Sequence, residues 1–214
     1  MRIAIFGATG YAGGHLVNEA LARGHEVVGV ARKTDGLAGR ERLIPLTGSV
    51  HDSAFVRTVA ADADVLVLAV PGKKGDEGFE LADSVPHIGA AAAEGNCRLG
   101  VVGGAGSLQV TEGGPLLLDS PGFPDFVKPE ASSHVRALAA LRELPAAVDW
   151  FYLSPAAFFG AHAPGTRTGK YRVGGEVLVS RNGMSTIGGE DYAIAFLDEI
   201  EQPRHRRRRF TVGY

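Results

Sequence analysis

The chain has 214 residues, 45% of them apolar, and a formal net charge of −2. That is enough to bury a sizeable core, and the near-neutral balance gives no overall attraction to nucleic acid or to a membrane surface. The single cysteine, Cys97, excludes an intramolecular disulfide. No apolar run approaches the roughly 20 residues that cross a bilayer, and the chain opens on a strand with no charged-then-apolar leader, so a cytoplasmic protein is expected.

Strand and helix signals alternate through the first half. Arg2 to Phe6 is a short apolar strand that ends at glycine. Tyr11 to Arg23 reads as a helix with Leu16, Val17, Ala20 and Leu21 on one face, stopped by Gly24. Glu26 to Ala31 and Leu43 to Leu46 are the next strands, and Asp52 is a plausible N-cap for a helix through Ala60. Asp64 to Val70 is a wholly apolar strand stopped by Pro71-Gly72. Glu77 to Glu94 is predicted helical with a kink or restart at Pro86. Cys97 follows an alanine run and reads as a small buried residue rather than a nucleophile. Arg98 to Val102 is a fifth strand, leading into Gly103-Gly104-Ala105-Gly106-Ser107. Helices of this length between strands force parallel pairing and right-handed crossovers, hence an α/β fold with a doubly wound parallel sheet.

The second half is less regular. Gly113 to Pro129 is a Gly- and Pro-rich loop, Pro129 to Leu144 a helix, Asp149 to Ser154 a sixth strand, and Pro155 to Tyr171 a long loop. Val177 to Ser180 and Ser185 to Ile187 flank Arg181-Asn182-Gly183, a hairpin signal. Asp191 to Glu201 is a helix and Phe210 to Val212 a last short strand. The reading is one domain over 1–214, with 155–189 as a small substrate lobe.

The chemistry concentrates in Gly7-Ala8-Thr9-Gly10-Tyr11-Ala12-Gly13, which joins the first strand to the first helix. Gly7 makes the tight turn, Gly10 lets a pyrophosphate approach the backbone, and Gly13 lets the helix pack on the sheet. The helix N-terminus then offers free N–H groups and a positive dipole end to phosphates. The other reading is a tight turn without a ligand. NAD sites place an acid at the end of the second strand. This chain has Ala31-Arg32-Lys33 there, two cations that suit a 2′-phosphate. NADP(H) is therefore preferred, with NAD(H) possible, although a solvated basic pair remains the alternative.

The turn resembles that of the extended and atypical short-chain dehydrogenase/reductase superfamily. The segments Ser154–Phe159, Gly165–Arg172 (GTRTGKYR), Glu190–Ala193 and Arg209–Tyr214 (RFTVGY) resemble the NADH-flavin reductase family related to the biliverdin/flavin reductases. The resemblance spans nearly the whole chain and implies an NAD(P)-binding Rossmann fold and a nicotinamide cofactor without fixing the acceptor. It departs from the superfamily in one respect. Better-known members use a Tyr-x-x-x-Lys pair to pass a proton to a carbonyl oxygen. None of the five tyrosines here has lysine four residues on, and the helix expected to carry the pair starts near Phe123–Lys128 without a phenol. Flavins and quinones, such as FMN, fit better, because they take hydride at a conjugated centre.

Ligands of such sheets lie beyond the carboxyl ends of the strands. Ala69, Val70, Pro71 and Gly72 are expected to border the cofactor ribose, Gly103 and Gly104 the nicotinamide, and Ser154 and Pro155 the same cleft. Ser107 reads as a hydrogen-bond donor to acceptor or cofactor, or else as a loop serine bonding its own backbone. His162 is placed against the acceptor, with a bystander role as the alternative. Arg167 and Arg172 either clamp an anionic substrate or pair with acids in the same lobe. Lys128 reads as solvated and His134 as a helix-packing or surface histidine, with a proton-source role as its alternative. No metal-ligand spacing is present. The run Arg204–Arg209 follows an acidic stretch and lacks interleaved aromatics, so it reads as structural, with no nucleic-acid or membrane partner. A monomer or homodimer with a small-molecule substrate is expected. Three functions compete: a reductase of conjugated acceptors, a non-catalytic NADP(H) sensor, and an epimerase or dehydratase that would lack its tyrosine.

Overall fold

A computed structural model of the protein describes residues 1–72 and 80–214. Eight strands form one sheet: β1 (Arg2–Phe6), β2 (Glu26–Ala31), β3 (Leu43–Thr47), β4 (Val65–Leu68), β5 (Arg98–Val102), β6 (Trp150–Ser154), β7 (Arg172–Gly174) and β8 (Arg208–Gly213). Among the described residues five α-helices intervene: α1 (Tyr11–Ala22), α2 (Ser53–Ala60), α3 (Leu81–Glu94), α4 (Lys128–Arg142) and α5 (Gly189–Glu201). The sheet order is β3-β2-β1-β4-β5-β6-β8-β7, parallel throughout except for the β7–β8 pair. Strand order therefore reverses between β1 and β4, where Phe6 pairs with Leu68.

Helices cover both faces, which is why the central strands carry near-continuous apolar runs. One core, under α2, α3 and α4, gathers Phe6, Leu66, Leu68, Val85, Ile88, Leu138, Leu141, Trp150 and Tyr152. The other, under α1 and α5, gathers Ile3, Ile5, Leu16, Val17, Phe151, Leu153, Tyr192, Phe196 and Phe210. Asp52 caps α2 as expected, its carboxylate accepting from Phe55 N–H at 3.0 Å.

Three expectations change. Pro86 sits inside a continuous α3 rather than restarting it, because the apolar face of Leu81, Val85, Ile88 and Ala92 holds the helix on the core across the missing N–H. Residues 77–79, the expected start of that helix, lie outside the described residues. The hairpin at Asn182-Gly183 is only a turn: both residues have positive φ (53° and 79°) and a single bridge joins Arg181 to Met184. Its flanks leave for other partners, Val177 to Gln109 and Thr186 to Phe158. Finally, β7 lies where no strand was expected. Three residues running into glycines give no readable alternation, and its antiparallel pairing with β8 supplies the register instead.

The segment between β6 and α5 is fastened to the helices by buried charge. Asp191 is 0% exposed. Its carboxylate accepts from Thr168 N–H, Thr168 Oγ1, Gly169 N–H and Tyr214 Oη at 2.6–3.1 Å. Burial alone would raise its pKa, but these donors outweigh burial and hold the carboxyl below its usual value. Asp191→Asn should therefore lower stability by about 2–3 kcal/mol at neutral pH, about 5–10 °C in Tm. A carboxyl with a depressed folded-state pKa stabilises above its unfolded value, near 4, and loses that contribution as pH falls through its own lower value. The Tm gap between wild type and variant should thus be widest near neutrality and close in acid, which thermal melts across pH will show.

Candidate functional site

The turn after β1 is where three backbone segments meet without side chains. Gly7 has φ +83° and lies so close to the end of β4 that a Cβ on it would be 2.2 Å from the Ala69 carbonyl oxygen. A Cβ on Gly13 would be 2.0 Å from the Gly7 carbonyl oxygen. Gly7 and Ala8 N–H both donate to Val30 O at the end of β2 (2.8 and 3.1 Å). The turn thus lies across the carboxyl ends of β1, β2 and β4, at the point where strand order reverses. Gly10, the residue before α1, provides no side-chain cap, and Thr9 and Gly10 are exposed. The N–H groups of the first helical turn therefore face the crevice, as an anion site requires.

The other expected wall residues also lie at carboxyl ends. Ala69 N–H donates to Phe6 O at 2.8 Å, Ala69 and Val70 are half-buried, and Pro71 is exposed. Gly103 N–H donates to Leu153 O, and Gly104 N–H to Tyr152 Oη, each at 2.9 Å. Ser154 and Pro155 end β6 in buried positions, and Ser154 Oγ has no hydrogen-bond partner among the described residues. Arg32 and Lys33 are exposed just beyond β2. Along the sheet these residues follow the carboxyl ends of β2, β4, β5 and β6 in that order.

Tyr11 links this turn to the segment after β6. Its Oη donates to Pro164 O and accepts from Gly189 N–H, both at 3.1 Å, and its ring meets Phe159 edge-on at 5.4 Å. Arg167 reaches back to α1, where it and Arg23 both donate to the buried Glu19. Burial opposes that charge, but the two guanidiniums outweigh it and keep the Glu19 carboxyl below its usual value. Arg172 donates to the carbonyls of Ser180 and Tyr214. Both arginines proposed for a substrate anion thus have protein partners, Arg167 on α1 rather than within the lobe and Arg172 on carbonyls rather than acids. His162 is exposed in a turn closed by Ala163 N–H to Gly160 O.

Ser107 lies in the turn after β5, where Arg209 Nη1 donates to its Oγ at 2.9 Å. Arg209 itself is buried in β8 and also pairs with Glu176. Four other residues of the basic run are likewise engaged. Arg204 and His205 N–H donate to Glu199, Arg206 pairs with Asp149, and Arg207 donates to the carbonyls of Leu144, Pro145 and Val148.

Lys128 pairs with Asp125 in the open. His134 is buried instead, beside Glu130, Gly72, Gly104 and Tyr152. The polar cluster of Glu130, Ser133 and Tyr152 was not singled out from sequence; the one available signal was Glu130 and His134 standing four apart on one helix face. A groove of about 400 Å³ lies elsewhere, between the end of α5 and β7–β8, lined by Tyr171, Asp198, Gln202, His205 and Phe210. It is remote from the glycine turn and shares none of the residues described there. Among the described residues no group of three metal-capable side chains occurs, and no helix is long and apolar enough to cross a membrane.

Comparison with known proteins agrees with this geometry. The chain is 38% identical to the uncharacterized protein YwnB of Bacillus subtilis, over 99% of this chain and 98% of that one. A Bacteroides thetaiotaomicron structure described as a "putative epimerase" superposes with a TM-score of 0.88 at 34% identity, covering 100% of this chain and 96% of the other. A "putative NADH-flavin reductase" from Streptococcus pneumoniae superposes at 0.85 with 30% identity, covering 100% and 99%. The family model for NAD(P)H-binding proteins matches residues 7–198, and the chain belongs to that family.

Proposed function

We propose that the protein is an NAD(P)H-dependent reductase that delivers hydride to a flavin, quinone or similar conjugated acceptor, with NADPH the preferred donor. The observation that carries this reading is the side-chain-free junction of Gly7, Gly13 and Ala69, which sets an uncapped helix N-terminus at the reversal of strand order. The N–H groups of Tyr11, Ala12 and Gly13 would hold the pyrophosphate. Arg32 and Lys33 would hold the 2′-phosphate, where a bidentate guanidinium is the stronger ligand. Ala69 to Pro71 would border the ribose, and Gly103, Gly104, Ser154 and Pro155 the nicotinamide. When bound, the nicotinamide supplies a hydride.

The acceptor class follows from what α4 lacks. It carries no tyrosine, and a carbonyl reduced by the Tyr-x-x-x-Lys route needs one. A conjugated acceptor needs chiefly to be stacked, screened from water and given a proton. Ser107 fits as a donor to acceptor or cofactor: an arginine N–H can only donate, so the bond from Arg209 occupies a serine lone pair and leaves the hydroxyl hydrogen for another partner. The S. pneumoniae relative named for flavin reduction supports the same class.

The deciding experiment is steady-state oxidation of NADPH and NADH against FMN, riboflavin and small quinones. Turnover well above the enzyme-free rate is expected, faster with NADPH. Tight dinucleotide binding without turnover of any acceptor would instead favour an NADP(H) sensor.

Two variants test the binding geometry by calorimetry. Arg32→Ala should weaken NADPH binding about 10- to 100-fold, the value of one charge-assisted phosphate contact, and leave NADH nearly unchanged. Equal losses would show that the 2′-phosphate is not read there. Gly13→Ala should abolish dinucleotide binding, because its Cβ meets backbone that cannot withdraw. Gly14→Ala, with its nearest atom at 3.9 Å, should bind as wild type does.

A further inference from the structure

The first two turns of α4 lie against the ends of β4 and β5. Glu130 Oε1 accepts from Gly72 N–H at 2.8 Å and stands 3.3 Å from His134 Nε2. Ser133 Oγ donates to the Gly72 carbonyl and lies 3.1 Å from Glu80 Oε2, a carboxylate that Arg136 also holds. The His134 side chain fills the space between the two glycine turns: a Cβ on Gly72 would lie 2.9 Å from its Cδ2, and one on Gly104 would lie 3.1 Å from its Cβ. Its Nδ1 is 3.5 Å from Tyr152 Oη.

The ionisable groups around this imidazole have distinct roles. Tyr152, from β6, is fully buried, and burial pushes its phenol well above its usual range. It therefore stays protonated and serves as a hydrogen-bonding post for Gly104. Arg209 from β8 and Arg142 from α4 act on that phenol through space. Glu80 is occupied by Arg136 and Ser133. Among the described residues, proton exchange at this point of the cleft falls to Glu130 and His134, whose side chains are 33% and 11% exposed.

Building on the reductase reading, we propose that His134 is the proton donor to the reduced acceptor and Glu130 its partner. They form a Glu-x-x-x-His pair on the helix where better-known relatives carry Tyr-x-x-x-Lys. Hydride delivery leaves the acceptor with two added electrons and one proton short. The N–H bond of the His134 imidazolium breaks and an N–H or O–H bond forms on the acceptor. The imidazole is left neutral, and solvent reprotonates it along the exposed edge of Glu130. Imidazole is the side chain most often used for such transfers, and Glu130 stands beside the ring to hold it in place.

The test combines kinetics with a measurement that needs no turnover. With NADPH and the best acceptor, His134→Asn should lower kcat about 100-fold while changing the KM for NADPH less than about threefold. It should also remove the alkaline limb of the wild-type kcat profile, where the donor loses its proton. Glu130→Gln should also lower kcat, by less than His134→Asn does, and it carries the test if His134→Asn fails to fold. Separately, adding NADP+ to the wild-type protein should move the His134 ring resonances in NMR spectra, and should move those of His51 and His87 less. A folded His134→Asn with unchanged kcat and pH profile overturns the assignment, and so do His134 resonances indifferent to NADP+. Wild-type protein that reduces no acceptor overturns the reductase reading and this proton step together; active wild type matched by active variants overturns the pair alone.

Discussion

The structure depends on a steric constraint: the approach of α1 to the sheet through backbone alone. At Gly13 and Gly7 the missing Cβ atoms would stand 2.0 and 2.2 Å from carbonyl oxygens, so helix, turn and the end of β4 sit closer than any side chain permits. This closeness fixes the start of α1 over the reversal of strand order. The anchor for the rest of the helix is apolar: Leu16, Val17 and Ala20 are fully buried in the core shared with α5. A helix held down along its length and bare at its first turn keeps its unpaired N–H groups pointed at one place, which an anion can use without reorganising the protein.

The segments most distinctive in the sequence serve that arrangement from behind. Arg167 of the GTRTGKYR stretch reaches Glu19 on α1, Thr168 and Gly169 reach Asp191 on α5, and Tyr171 donates to Asp198. Tyr214, from the RFTVGY end, joins the same Asp191. Tyr11 then ties the glycine turn itself to Pro164 and Gly189. These residues gather on the outer side of α1 and α5. They tie the segment after β6 to the helices and to the glycine turn. A distinctive motif can thus record a packing constraint as faithfully as a chemical one.

The fold and the close backbone approach at the glycine turn were legible in the sequence because both rest on local rules. Apolar runs such as Val65–Leu68 announce strands buried on both faces, and the three-and-three glycine spacing announces close backbone approach. What escaped was non-local. β7 exists only because β8 offers an edge, and the arginines at the start of β8 hide that this strand, expected over Phe210 to Val212, begins at Arg208. Buried arginine is rare unless paired, and nothing within 204–209 tells that Ser107 and Glu176 wait for Arg209 from about 100 and 30 residues away. The same limit applies to Arg167, whose acid on α1 lies far back in the chain. His134 reads as a packing residue along the helix; only the folded chain brings Gly72 and Gly104 to it.

The five tyrosines narrow the chemistry further. Each phenol has its pKa raised, burial being the first cause in every case. Each is also engaged within the protein: Tyr11 with Pro164 and Gly189, Tyr152 with Gly104, Tyr171 with Asp198, Tyr192 with Leu153 and Tyr214 with Asp191. A tyrosine that moves protons in a dehydrogenase needs the opposite environment, a nearby cation that lowers its pKa toward the working pH. On the proposed reductase reading, acid–base work therefore passes to other groups, and a conjugated ring that disperses the incoming charge suits such a site better than an isolated carbonyl, which concentrates charge on a single oxygen.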